Sequence, residues 1–457
     1  MLRGWRAVLT NLILAVVAGG DESNHSNHTS HSSWKVPVPH PEPQFWRRVR
    51  PYGPALNATL VWQGFGTPHP IVCEPQVMWT PPPPWHSRET EKDEKGDLEG
   101  EYRLYFRAGG WFTTPQVIGV VFSSDPLREG WSYRSKYWET GARDPFMPIS
   151  GAGYGGTSYD EIQVQPWIFY QTGRQRRRQN TPDMPTIADR DGGVWWLYAG
   201  IHAGPEEVHN QTSVSLSVDG LHWQLVRRQS VPLAGNCTMF GNRVIWIEEE
   251  AERIVFHLLQ EQLCGPWKIY HYTSSDGLSD WSVASTGPVP GLERVPNGMF
   301  GGPSMPVHPQ FLGPGLRRPF GLPVPAPFDA SGARHLWFHA AALGGNLPTD
   351  VYHAVSPGSA SGPWTVLHVD NKTNPLGAEL EHRGAYLNDT ERWTTWEYDQ
   401  VSDPSFTYYV QDYLLPPAAR RALLFYDGGN NANGTGNIGM AVGWAEEMFP
   451  GGLASSQ

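Results

Sequence analysis

Three kinds of apolar segment recur in the same order along the chain, and each kind occurs five times. The first kind is short and opens on proline or a small residue, the second is rich in aromatic and branched side chains, and the third runs into a turn. First-kind segments are residues 74–77, 184–187, 236–239, 302–305 and 403–406; second-kind segments begin at Tyr102, Val194, Arg253, His335 and Arg421; third-kind segments begin at Ile118, Ser213, Ile269, Val351 and Ile438. Each repeat predicts three β-strands.

A turn followed by a tryptophan closes four of the five repeats. Asp-Gly at residues 219–220 and 276–277 and Pro-Gly at residues 357–358 are hairpin-turn signals, and the tryptophan starts a fourth strand. These tryptophans are Trp131, Trp223, Trp281 and Trp364. Four strands make one blade of a β-propeller, so the sequence predicts an all-β fold, a five-bladed β-propeller.

Two parts of the chain do not follow the repeat. The fifth repeat ends near Trp444 with little chain left for a fourth strand, and residues 58–62 are placed to complete the first blade from the N-terminal side. The interruption at residues 132–180 is too long for a plain loop. We expect it to carry extra strands at residues 163–170 over the mouth of the funnel.

The N-terminal residues predict a secreted, extracellular protein. Residues 1–20 read as a signal peptide, because Arg3 and Arg6 precede an apolar run at residues 7–18 that is too short to span a bilayer. An uncleaved membrane anchor is the alternative. Residues 21–45 are rich in His, Ser, Asn and Pro and predict a flexible glycosylated leader. Residues 46–457 then form a single propeller domain.

Sequons and cysteines agree with the secretory route. N-x-Ser/Thr triplets begin at Asn24, Asn27, Asn57, Asn210, Asn236, Asn371, Asn388 and Asn433. Such sites are used only in the secretory pathway. Three cysteines are too few for a disulfide framework. Cys237 and Cys264 lie in one repeat and are the predicted pair, which leaves Cys73 as a buried free thiol.

The charge balance excludes one class of function. The chain has 34 basic and 45 acidic residues, a net charge of −11, which is the wrong sign for a protein that neutralises phosphates. We therefore expect no nucleic-acid partner. We also expect a monomeric protein with no membrane insertion after signal cleavage.

The expectation of a carbohydrate substrate or ligand comes from a resemblance to a known group of proteins. An acidic residue before proline, then an aromatic strand, then S-x-D-G-x-x-W, recurring from about Val61 to Trp444, resembles the five-bladed propeller glycoside hydrolases of families 43, 32 and their relatives. The resemblance implies carboxylates on the innermost strands of separate blades: a general base on the first, a positioning aspartate on the second and a general acid on a later blade. Sialidases, which have six blades, carry S-x-D-x-G-x-x-W boxes with one more residue between Asp and Gly. This difference argues against a sialidase.

Carried onto this sequence, the resemblance implies Glu74 as the base, Asp183 as the positioning group, and Glu161 or Asp403 as the acid. The third blade departs from the family, because the sequon residue Asn236 stands where a glutamate is expected. Carboxyl groups about 6.5–9.5 Å apart across a funnel predict inversion. For each acid the alternative is a carboxylate that caps backbone N–H groups. The predicted function is a secreted glycoside hydrolase of a poly- or oligosaccharide, and the alternative is a non-catalytic carbohydrate-binding or scaffold propeller.

Other candidates for the site are aromatic and imidazole side chains. Trp111 and Trp167 are predicted to line sugar subsites, with core packing as the alternative. His209, His308 and His339 are candidates for a cation or substrate near the axis. No HExxH, CxxC or EF-hand pattern occurs, so no cofactor is required by the sequence. Some families that the chain resembles hold an axial Ca²⁺, which makes that ion a candidate.

Overall fold

The computed structural model describes residues 46–49, 54–58, 70–83, 99–110, 117–138, 149–150, 162–179, 186–202, 211–228, 231–237, 239–250, 253–264, 267–292, 305–310, 333–341, 349–357, 361–367, 378–382, 396–412, 415–416, 419–430 and 435–448. The chain divides into two units, Met1–Pro41 and Glu42–Gln457, and every described residue belongs to the second. The predicted signal peptide and leader, residues 1–45, lie outside the described residues.

The described strands form five successive antiparallel meanders, preceded by the short strand β1 (Arg47–Arg48). Meander I contains β2 (Pro70–Thr80), β3 (Glu101–Gly110) and β4 (Val117–Ser123). Meander II contains β6 (Ile162–Gln171), β7 (Val194–His202), β8 (Gln211–Ser217) and β9 (Trp223–Arg228), and β5 (Ile149–Ser150) pairs with β9. Meander III contains β10 (Met239–Glu249), β11 (Ile254–Leu263), β12 (Trp267–Ser274) and β13 (Ser282–Val283).

Meander IV contains β14 (Met305–Gln310), β15 (Arg334–Ala341), β16 (Thr349–Ser356) and β17 (Thr365–Val366). Meander V contains β18 (Gln400–Tyr408), β19 (Arg421–Asn430) and β20 (Thr435–Trp444). The helices are α1 (Gly173–Gln179), α2 (Ala445–Met448) and a 3₁₀ turn at Val410–Asp412. The all-β prediction is therefore confirmed for the described part of the chain.

The first strands of the five meanders share a β-bulge. The register shifts between residues 73 and 76, 164 and 167, 240 and 243, 307 and 310, and 402 and 405. Four of the five bulges contain proline at the second position: Pro75, Pro166, Pro309 and Pro404. Proline is tolerated inside a paired strand at a bulge because its nitrogen need not donate to the ladder.

This bulge corrects the placement of three first strands. We predicted that they open near residues 184, 236 and 302, but β6, β10 and β14 begin at Ile162, Met239 and Met305. The acid-proline pairs in meanders I and V lie inside their strands, so proline marks the bulge and not the strand start. The segment at residues 163–170 is accordingly the first strand of meander II rather than an extra strand over the mouth.

Neighbouring meanders pack face to face. Four apolar clusters occupy successive interfaces, and Trp223, Trp281 and Trp364 are buried in them, as their place in the repeat predicts. The first strands also contact one another in order: β2 contacts β6, β6 contacts β10, β10 contacts β14, β14 contacts β18, and β18 contacts β2. The five first strands therefore lie side by side along one line of contacts.

The N-terminal strand β1 completes meander V. It pairs with β20, with Arg47 opposite Val442 and Arg48 opposite Ala441. Of residues 58–62, which we predicted to complete the first blade, residues 59–62 lie outside the described part, so this stays a prediction. The short β1 is anchored by its side chains: Arg48 Nε lies 2.7 Å from Glu397 Oε1, and both side chains are buried.

Helices in the described ranges are too short or too polar to cross a membrane.

Candidate active site

Two of the predicted carboxylates come together where meanders I and V adjoin. Ile71 of β2 forms a parallel bridge to Gly436 of β20, and the Val77 amide donates to Ser405 Oγ at 3.0 Å. These contacts bring the first strands β2 and β18 side by side. Glu74 and Asp403, the first residues of the two bulges, are thereby placed in neighbouring strands and are both buried.

The backbone at both acids is strained. Glu74 has φ +53° and Asp403 has φ +47°, and they are the only non-glycine residues with positive φ in the described ranges. Residues held in the left-handed region cost about 1–3 kcal/mol and cluster at functional sites. The strain on these two acids is thus an independent indication that their positions serve a function.

Glu74 is paired with a cation. Arg107, in the strand next to it, donates from a terminal guanidinium nitrogen to Glu74 Oε1 at 2.6 Å. Burial acts to lower the pKa of Arg107, but the charge of Glu74 and the hydrogen bond to its carboxylate raise that pKa above its usual value. The guanidinium therefore stays charged and holds an ionised carboxylate beside it.

A third carboxylate, which we did not predict, belongs to the same cluster. Asp427 lies on β19 opposite Ser402 and is 5% exposed. Burial, together with the negative charges of Asp403 and Glu74, raises the pKa of Asp427 well above its ordinary value, although Arg107 opposes the shift. The shift favours the protonated, neutral form of Asp427 over the ionised form.

The hydrogen bonds of Asp427 leave one oxygen without a partner. Oδ2 accepts from Gln400 Nε2 at 2.9 Å. Oδ1 is buried and has no hydrogen-bond partner among the described residues. A Cβ atom at Gly436 would lie 3.6 Å from this oxygen, so the glycine leaves space beside it. In its protonated form Asp427 is a proton donor whose Oδ1 has no acceptor among the described residues.

Meander IV supplies a neighbour for Asp403. His339 on β15 has Nδ1 3.2 Å from Asp403 Oδ1, and the Asp403 amide approaches the same nitrogen at 3.1 Å. The imidazole is buried. Its Nδ1 accepts the Asp403 N–H and so holds the backbone at the bulge. The site thus draws side chains from meanders I, IV and V.

Cys73 is the free cysteine of the described chain, as we predicted. It precedes Glu74 and is buried beside Arg107. Burial raises the pKa of the Cys73 thiol well above its usual value, and the nearby carboxylates add to the shift. The side chain stays a neutral thiol and carries no charge that would compete with Glu74 for Arg107.

The other predicted site residues have mixed outcomes. Asp183, Glu161 and Trp111 lie outside the described residues, as do the candidates His209 and the sequons at 210, 371, 388 and 433. Trp167 is 6% exposed, and its indole N–H donates to the Ile245 carbonyl at 2.8 Å. The prediction that Trp167 lines a sugar subsite is wrong, because its ring is enclosed in the interface between meanders II and III.

The remaining predictions concern the cysteines and sequons. Cys237 and Cys264 form a disulfide in meander III. Asn236 is exposed beside it, and Asn57 is half-buried. His308 belongs to the bulge of β14. The sequence signal that could have revealed Asp427 is its setting as a single acid in an apolar strand. It stands where the first repeat has Arg107, since each of the two pairs with the residue just before the bulge.

An axial metal finds no support among the described residues. No group of three His, Cys, Asp or Glu side chains in them has an arrangement that could hold a metal ion. The carboxylate best placed to serve, Glu74, is already bound to the guanidinium of Arg107. These residues do not fit a bound Ca²⁺, and the site's chemistry is derived without one.

No protein-family profile matches this chain, and no curated protein matches it. Solved structures similar to it are carbohydrate-active enzymes. An N-acetylgalactosamine deacetylase from F. plautii has a TM-score of 0.48 at 14% identity, over 89% of this chain and 96% of that one. A GH62 α-L-arabinofuranosidase from Coprinopsis cinerea has a TM-score of 0.45 at 13% identity, over 88% and 98%. An endo-arabinase from Bacteroides thetaiotaomicron has a TM-score of 0.40 at 11% identity, over 81% and 93%.

Proposed function

We propose that the protein is a secreted glycoside hydrolase with a five-bladed β-propeller fold, and that it cleaves a poly- or oligosaccharide with inversion. The observation that carries this proposal is the buried group of three carboxylates, Glu74, Asp403 and Asp427, in which the pKa of Asp427 is raised and Glu74 is bound to a cation. The order of contacts from β2 through β18 and back to β2 supports a closed ring of five blades.

Glycoside hydrolysis needs one carboxyl group that donates a proton and one that accepts a proton. Asp427 is suited to the first role because its raised pKa favours the protonated form. Glu74 is suited to the second because the charge of Arg107 favours its ionised form. The two side chains come from different meanders.

The proposed reaction proceeds in one displacement. Water attacks the anomeric carbon and gives its proton to Glu74. The glycosidic C–O bond breaks, and Asp427 transfers its proton to the departing oxygen. Asp403 acts through its charge, because its proximity raises the pKa of Asp427 and so favours the protonated form of that acid.

These roles revise the assignment taken from the resemblance. Asp403 was a candidate acid, yet its place beside Asp427 makes it the group that tunes the acid. Glu161 and Asp183 lie outside the described residues, so the roles predicted for them remain proposals.

A non-catalytic carbohydrate-binding or scaffold propeller is the second candidate. One observation favours it: the bulges of meanders II, III and IV begin with Gln165, Gly241 and His308, so acids occur in only two of five equivalent positions. A binding protein would retain carbohydrate affinity and lack turnover.

The test is hydrolysis of an aryl-glycoside and polysaccharide panel by the purified chain. General acid–base groups contribute about 10²–10⁴-fold to rate, so Glu74→Gln and Asp427→Asn should each reduce turnover by at least about 10²-fold. Glu129→Gln, at an exposed position outside the cluster, is the matched control. Proton NMR of the first product would show the inverted anomer. Binding without turnover on every substrate would contradict the hydrolase and leave the second candidate.

Secretion and glycosylation belong to the same proposal. Asn236 is exposed beside the Cys237–Cys264 disulfide, and both features are expected of a protein that matures in an oxidising compartment. Expression in a secreting host should give a medium-borne protein whose mass falls on enzymatic removal of N-glycans. A protein retained in the membrane fraction would favour the uncleaved anchor.

A further inference from the structure

A cavity lies between meanders I and II, away from the carboxylate cluster. Its volume is about 490 Å³, within the range of small-molecule sites. Thr80, at its edge, lies six residues beyond Glu74 along β2. At about 3.3 Å per residue that is a distance of about 20 Å. The cavity is therefore separate from the site already described.

Aromatic rings form the walls of this cavity. The half-buried Tyr170 ring lines the cavity and packs against Trp195 with centroids 5.3 Å apart. Trp195 is only 4% exposed and supports that ring. Half-buried Trp138 and the proline run at residues 81–83 also belong to the lining. Aromatic faces of this kind pack against the C–H faces of sugar rings through apolar contact.

Polar groups in the lining are held in fixed orientations. Tyr170 donates its hydroxyl to Asp189 Oδ2 at 2.5 Å, and Arg103 donates to the Asp219 carbonyl at 2.6 Å. The Arg103 guanidinium lies 5.5 Å from the centroid of the Trp195 ring. Oriented polar groups at the edge of an aromatic wall provide donors and acceptors for ligand hydroxyl groups without reorganisation.

The charges in the lining balance. Three arginines and three aspartates contribute to it: Arg103, Arg174, Arg190, Asp189, Asp191 and Asp219. A site for a phosphate or for a polycation would carry an excess of one sign. A neutral ligand with many hydroxyl groups is the class that meets both the aromatic walls and the balanced rim.

We propose that this cavity is a second binding site for a neutral oligosaccharide, which holds a stretch of the polymer remote from the bond to be cleaved. The identity of that polymer with the substrate rests on the proposed function. The binding itself does not, since it can be measured in the absence of turnover.

The experiment uses isothermal titration of the full chain carrying Asp427→Asn with neutral trisaccharides of xylose, arabinose, galactose or glucose. Val218 lies at the rim and is 46% exposed, so Val218→Trp can fill the cavity without disturbing the core. Val283, 41% exposed on β13 and outside the cavity, provides Val283→Trp as the matched control. Trp138→Ala removes an aromatic wall instead of filling the space.

We expect two sites per chain for the Asp427→Asn protein and for the control, and one site when either cavity substitution is added. In these substituted proteins the dissociation constant for the trisaccharide at the cavity should rise by about tenfold or more. Equal titrations for Val218→Trp and Val283→Trp would overturn the proposal, and so would the absence of binding by every trisaccharide. If wild-type protein shows no turnover while Val218→Trp removes a site, the hydrolase fails and the second binding site stands.

Discussion

Glu74 and Asp403 occupy the same position in adjoining meanders: each is the first residue of the bulge in a first strand, and each precedes a proline. Their φ angles, +53° and +47°, show that the two bulges also share a backbone conformation. A bulge re-aims a side chain, and these two acids belong to one electrostatic group with Asp427. Two of the three carboxylates of the candidate site therefore lie in the bulges of the repeat and not in its regularly paired strand positions.

The strain at Asp403 predicts an unusual order of stability. Asp403→Gly and Asp403→Ala both remove the carboxylate, but only glycine adopts positive φ at low cost. The glycine variant should be more stable than the alanine variant by about 1–2 kcal/mol. Urea unfolding, followed by tryptophan fluorescence, measures the difference.

The same pair of substitutions at Thr407, two residues after the bulge on β18, is the control. There the backbone is an ordinary strand, and glycine should be less stable than alanine by about 0.5–1 kcal/mol. The same order at both positions would show that the bulge at Asp403 carries no strain.

Asp427→Asn should stabilise the protein while it removes the proposed acid. Because burial raises the pKa of Asp427, the folded state holds a proton that the unfolded state releases above about pH 4, and stability falls as the pH rises from there. Asparagine keeps the shape and has no charge to desolvate. We expect the melting temperature at pH 7.5 to rise by about 1–3 °C. The gain should shrink towards about pH 4, the ordinary pKa of an unfolded aspartate.

Asp412→Asn provides the contrasting variant for that measurement. Asp412 is also buried, but it accepts two hydrogen bonds from the guanidinium of Arg421, at 2.8 and 2.7 Å. Its charge is paired, so the asparagine variant should melt at a lower temperature than the wild type. A stabilising effect of both substitutions would point to a general loss of charge repulsion instead of a specific effect at Asp427.

The sequence predicted the all-β fold and two of the three clustered carboxylates, because strand pattern, turns and acid-proline pairs are local signals. It failed where the answer depends on register. Asp427 joins the site only because β19 pairs with β18 so that Asp427 stands opposite Ser402. The position of Trp167 along the sequence does not show that its ring is buried between meanders, so the sequence predicted a sugar subsite there. The sequence did not predict β1, because this strand owes its position to distant partners such as Glu397.

Acid should unfold this protein because of its buried imidazoles. Burial lowers the pKa of His257 to about 4, of His271 to about 3 and of His335 to about 2. In the unfolded chain these side chains bind protons near pH 6.5. Stability is therefore fully present above pH 6.5 and falls as the pH is lowered towards the folded values, since the unfolded state then binds more protons.

The expected slope is about 1.4 kcal/mol per pH unit for each histidine, reduced in part by Asp427, whose raised pKa acts in the opposite direction above about pH 4. Melting temperatures at pH 7.5, 6.5 and 5.5 measure it. His257→Gln should flatten the decline. An equal slope for the variant and the wild type would exclude His257 as a source of acid sensitivity.

The two arginines of β1 should differ sharply in their contribution to stability. Arg48 and its partner Glu397 are buried, with Nε and Oε1 2.7 Å apart, and Arg48 also donates to the Glu381 carbonyl. Arg48→Ala leaves the Glu397 charge buried without its cation, which costs about 3–5 kcal/mol. Arg47 is half-exposed and pairs with Glu447 at 3.2 Å, so Arg47→Ala should cost only about 0–1 kcal/mol.

Because β1 is the strand that completes meander V, Arg48→Ala should also increase hydrogen exchange at the β20 amides that face it, while Arg47→Ala leaves them protected. Similar unfolding free energies for the two variants would mean that β1 does not hold meander V together.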